Sequence, residues 1–123
     1  MYIRLIALAG LLGIVTAMSG CNTTSPEWGV ALRNQGDQRV VDSRVRVGGR
    51  HYAPGILPSK ATKGFHCDRD ELPSAAVIKW QRDDGKWHEK SISLAPIAPL
   101  PGDGCVYLDI SDENDVSLSY RRD

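Results

Sequence analysis

The sequence predicts an all-β domain: a single antiparallel β-sandwich or open barrel of about six or seven strands, carrying one disulfide. Three observations carry this. Six short runs are rich in Val, Ile, Leu, Trp and Tyr, or alternate apolar and polar residues with period two. Segments rich in Gly and Pro, the chemistry of turns, separate them. No stretch after residue 20 sustains a 3.6-residue period beyond about one helical turn.

The first 20 residues stand apart from the domain. Met1 to Arg4 is a short segment with one positive charge, an apolar run from Leu5 to Val15 follows, and Ser19 and Gly20 are small. Charge, apolar core and small residues in that order read as a secretory signal. The apolar run is 11 residues, short of the roughly 20 that a membrane-spanning helix needs. "MSGC" at 18–21 resembles a bacterial lipobox, with Met18 where Leu is usual. The resemblance implies that residues 1–20 are removed and that Cys21 becomes an acylated N-terminus, with residues 21–27 as a tether and 28–123 as the domain. Asn22, rather than Asp, after the lipid-bearing Cys implies the outer membrane, with the domain facing the periplasm. Several acyl chains on one residue exceed the two-signal threshold for stable anchoring.

The strands are expected at 28–34, 39–47, 75–82, 86–94, 105–110 and 116–122. In the second, Val45 and Val47 face one side while Arg44 and Arg46 face the other. In the fourth, Ile92 and Leu94 alternate with Ser91 and Ser93. The sixth sets Val116, Leu118 and Tyr120 against Ser117, Ser119 and Arg121. Such one-sided faces belong to antiparallel sheets with one wet surface. "WQRDDGKW" predicts a hairpin in which Asp84 and Gly85 take positive φ and Trp80 and Trp87 lie near one another across the turn. Residues 48–64 and 95–104 read as loops. The first, about 17 residues long, is long enough to hold a functional segment or a short strand.

Removing Arg4 from the 15 Lys and Arg leaves 14 against 15 Asp and Glu, a balance that argues against a nucleic-acid partner or an electrostatic membrane patch. With Cys21 acylated, Cys67 and Cys105 remain as an even pair in an oxidising compartment, which reads as one disulfide. Two reduced buried thiols are the alternative. A bridge closing about 39 residues stabilises by roughly 3 to 4 kcal/mol through lost loop entropy.

No catalytic constellation is visible. G-x-S-x-G and H-E-x-x-H are absent, and His51, His66 and His88 have no helical i, i+4 spacing, so neither an enzyme nor a metal site is expected. The acidic clusters at 67–71 and 109–115 lack the spaced oxygens and glycine of a Ca²⁺ loop and read as polar turns. No cofactor is expected. The candidate contacts for a protein partner are Arg46, Arg50, His51 and Tyr52, beside the 48–64 loop, and the acidic residues Asp68, Asp70 and Glu71. Arg and Tyr are residue types that dominate interfaces.

The order "VVDSRVRVGG", a Gly/Pro-rich loop, "GFHCDRDELPSAAVIKWQ" and "GCVYLDISDENDVSLSY" resembles a family of small bacterial lipoproteins of unassigned function. The shared positions are Asp42, Ser43, Val47, Gly48, Gly64, Cys67, Leu72, Pro73, Ile78 and Trp80. The family often has two Cys where this chain has Cys67 alone, and a longer Gly run before it. Some members resemble the immunity lipoproteins encoded beside type VI secretion effectors, including phospholipases. The resemblance implies a tethered protein-binding module that neutralises such an effector. The alternative is a structural or assembly lipoprotein of the outer membrane with no toxin partner.

Overall fold

The computed structural model describes residues 25–66 and 69–123, apart from the side chain of His66. The expected signal segment, Cys21, Cys67 and Asp68 lie outside the described residues, and with Cys67 goes one half of the expected disulfide.

The described residues are all-β, with eight strands and no α-helix: β1 Trp28–Asn34, β2 Asp42–Val47, β3 Arg50–Tyr52, β4 Thr62–His66, β5 Ala75–Gln81, β6 Trp87–Ser93, β7 Gly104–Ile110 and β8 Val116–Arg122. A single 3₁₀ turn covers Ala95–Ile97. The expected count of six or seven is therefore too low. Of the two additional strands, β3 lies within the stretch read as a loop over 48–64 and β4 begins within it. Each is short and polar and lies at the edge of a sheet, so its extended shape comes from pairing with a neighbour.

The strands form two four-stranded sheets, ordered β4-β1-β7-β8 and β3-β2-β5-β6. All pairs are antiparallel except β1 with β7, which run parallel with Trp28 opposite Gly104 and Asn34 opposite Ile110. That pair corrects the expectation of a purely antiparallel arrangement. A parallel pair needs a long connection between its strands, and β2 to β6 all lie in the chain between β1 and β7.

Both sheets contribute to one hydrophobic cluster. Trp28, Val30 and Leu32 of β1 and Val106, Leu108 and Ile110 of β7 meet Val45 and Val47 of β2 and Ala76, Ile78 and Trp80 of β5. At one side, between the edge strands β3 and β4, Tyr52 stacks on Phe65 with ring centroids 4.7 Å apart.

The two ends of the domain differ. At the end where β1 begins, the Trp28 indole donates to the Asp70 carbonyl at 2.9 Å, Arg69 reaches the Ser25 carbonyl, and the 95–103 loop packs alongside. At the far end, the Asp112 carboxylate accepts from the backbone N–H groups of Asp37 and Gln38 at 3.0 and 3.1 Å. There the buried Arg82 guanidinium donates to Asn114 Oδ1 and to the carbonyls of Gln38 and Ser111. Buried charge is tolerated here because each guanidinium nitrogen meets an oxygen.

Candidate functional site

The outer face of the β3-β2-β5-β6 sheet is built by simple alternation. On β2, Ser43, Val45 and Val47 are buried, so Arg44 and Arg46 project outward. Register then decides what they meet. Arg46 stands opposite His51 on β3 and Val77 on β5, and Arg44 opposite Lys79, which stands opposite Glu89 on β6. These side chains, with Ala53 and Tyr52 at the edge, line an open trough of about 370 Å³.

The trough is basic, and an indole adjoins it. The Arg44 guanidinium and the Lys79 ammonium each lie 5.4 Å from the centroid of the Trp87 ring, within the range of a cation–π attraction. Trp87 keeps 40% of its surface exposed. Arg44 also sits 3.6 Å from Asp42, a solvent-exposed pair of small energetic weight. Among the described residues no ion pair engages Arg46. The floor is Val77, so an occupant would meet an apolar base and charged walls.

The candidates read from the sequence divide into two groups. Arg46 and His51 are exposed and share the trough. Arg50 and Tyr52 occupy the alternate positions of β3, opposite Val47 and Val45, and so belong to the inward-facing rows. The Tyr52 ring is half-buried, stacked on Phe65 and packed against the core, and the residue only borders the trough. Arg50 turns to the end of the domain, where its guanidinium bonds the Asp70 carboxylate. The structure thus joins Arg50 to the acidic segment, through an ion pair rather than through a shared docking face. Glu71 is exposed at the same end, beside Leu72. Asp68 lies outside the described residues.

The Trp pair is corrected too. In the β5-β6 hairpin Trp87 stands opposite Gln81 and Trp80 opposite His88, so the two indoles point to opposite faces. Trp80 is buried in the core and stacks on His88, while Trp87 joins the outer trough. A frame shifted by one residue moves a side chain to the other side of a sheet. The turn itself differs in kind: the Gly85 N–H bonds the Arg82 carbonyl, and Gly85 at φ 82°, not Asp84, takes the left-handed conformation. This is a type I turn followed by a glycine bulge.

Lys79 and Glu89 in the trough, and Trp87 beside it, are the residues that sequence reasoning missed. Each lies on an expected strand, but only cross-strand register brings it beside Arg44 and Arg46. Among the described residues no group of three or more His, Cys, Asp or Glu is placed to hold a metal ion.

Neither a family model nor a curated protein matches the chain. Its fold is similar to that of a solved structure, an NMR structure of a protein from Eubacterium rectale. The two align with a TM-score of 0.54 and 14% identity over 83% of this chain and 95% of that one. At that identity the likeness is one of fold.

Proposed function

We propose that this chain is a protein-binding β-sandwich, anchored by lipid at Cys21 to the outer membrane and facing the periplasm, which captures its partner on the basic outer face of the β3-β2-β5-β6 sheet. The observation that carries the reading is the grouping of Arg44, Arg46, Lys79 and His51 around an apolar floor, with the exposed indole of Trp87 at its border. Arg and Trp are the side chains that most often dominate an interface, and a rigid sheet holds them in place before the partner arrives. An acidic surface on the partner suits this face, because complementary charge speeds encounter and penalises wrong partners.

The partner class comes from the family resemblance: a secreted toxic effector, phospholipase-like, with this chain as its immunity protein. Neutralising an enzyme by covering it needs a complementary surface and no reactive groups. The test is effector killing of cells that express either the parent chain or Arg44→Glu/Arg46→Glu. The reading predicts lost protection with an unchanged thermal melt. Full protection by the variant removes this face as the docking site. A parent chain that protects against no neighbouring gene product leaves the structural-lipoprotein alternative.

A further inference from the structure

At the end of the domain where β1 begins, residues Ala95 to Pro101 read "APIAPLP", seven consecutive residues without a charged or hydrogen-bonding side chain. Ile97 and Leu100 tuck partly against the core, while Ala95, Pro96, Ala98, Pro99 and Pro101 are exposed. Its backbone is unusually free of donors that need water. Three of the seven are prolines without an N–H. The N–H groups of Ala95, Ile97 and Ala98 are bonded to Ser93 Oγ, the Leu94 carbonyl and the Ala95 carbonyl. Few unpaired donors and apolar side chains lower the cost of moving a segment from water to a bilayer interface, where the loop's remaining backbone groups stay hydrated.

Position supplies the second argument. Ser25 and Pro26 line a crevice of about 550 Å³, with Leu72, Ala98, Pro99 and Leu100 on its apolar side and Asp70 and Glu71 on its polar side. The tether therefore leaves the domain beside this loop. From Cys21 to Ser25 the chain advances four residues, which span at most about 14 Å when fully extended. A domain held at Cys21 cannot stand clear of the bilayer, and the end that meets it is the one carrying the loop. Part of the charge at that end is paired, Arg50 with Asp70 and Arg69 with Asp103 at 3.9 Å, while Glu71 is exposed to water at the crevice rim.

We infer that the Ala95–Pro101 loop is a membrane-contact element that rests in the lipid interface beside the anchor and orients the domain. The inference rests on the acylation of Cys21 proposed above. It sets β1 to run away from the bilayer and the far-end turns outward, leaving the basic sheet face on the flank of the domain, open to a partner in the periplasm.

The experiment uses the full chain, processed in cells and reconstituted into vesicles of phosphatidylethanolamine and phosphatidylglycerol with brominated acyl chains. Two single-Trp additions are compared with the parent: Ala98→Trp in the loop and Glu113→Trp in the far-end turn, with Ala95→Trp as a second loop probe should the first fail to fold. Mass analysis of the N-terminal peptide reads acylation separately. The expected result is an acylated Cys21 and quenching of the added loop fluorescence at least about twofold greater than at residue 113. An acylated Cys21 with equal quenching at both positions overturns the membrane contact alone. An unmodified Cys21 overturns the contact together with the anchor on which it rests.

Discussion

Asp112 closes the far end of the domain like a clip, and its chemistry makes a pH prediction. The backbone N–H groups of Asp37 and Gln38 bond its carboxylate and hold its pKa below the usual carboxylate value. Hydrogen bonds to the charged form favour that form. A depressed folded pKa means that the stabilisation is complete above the ordinary carboxylate pKa and is lost as pH falls through the folded value. Asp112→Asn should therefore lessen the loss of stability on acidification, read from denaturant melts over the acid range. Identical pH dependence in parent and variant would contradict this role. A second residue-scale contact works by shape. A Cβ at Gly104 would lie 2.3 Å from the Arg121 carbonyl oxygen, a clash with backbone rather than with a yielding side chain. Gly104→Ala should cost about 1–3 kcal/mol in a urea melt, and a neutral result would show that β8 can shift away.

At the scale of elements, pairing explains both what alternation revealed and what it did not. β1 and β8 fall where their apolar residues place them, and the other four expected strands lie within three residues of their predicted ends. β3 and β4 were not legible, because "RHY" and "TKGFH" have little apolar alternation and become strands through edge pairing with β2 and β1. The parallel β1–β7 pair was not legible either, since it joins residues 76 apart in the chain and no local pattern announces a partner so distant. The candidate site divides the same way. Arg46 is readable from alternation with the buried valines, whereas Lys79 and Trp87 reach the trough only through register. Register also bears on the expected Cys67–Cys105 disulfide. Cys105 stands opposite Gly29, and Gly29 opposite His66, the residue before Cys67. Two strand spacings come to about 10 Å, more than the roughly 7 Å between Cα atoms that a disulfide tolerates. Residue 67 lies outside the described residues, and the bridge stands as an expectation from the cysteine count and the oxidising compartment. Peptide mapping without reductant should find the two cysteines joined, and Cys105→Ala should cost about 3 to 4 kcal/mol. Free thiols at both positions in periplasmic protein would remove the bridge from the account.

For the whole molecule, the proposals divide its surface by task. One end carries the tether and the apolar loop, the other a closed set of polar turns, and one flank the basic trough with its indole. Anchoring has its own test: Cys21→Ser should leave the membrane fraction and accumulate as an unprocessed precursor, whereas a variant still at mature size in membranes contradicts acylation. On the proposed reading, the trough captures an acidic protein surface. The most direct measurement is a calorimetric titration of the purified domain with the toxic product of the neighbouring gene. It compares the parent with Arg44→Glu/Arg46→Glu/Lys79→Glu at low and high salt, and thermal melts confirm that both are folded. Binding by the parent is expected to weaken as salt rises, and the folded variant to lose about 100-fold or more in affinity. Equal affinity in the two folded proteins would contradict that reading.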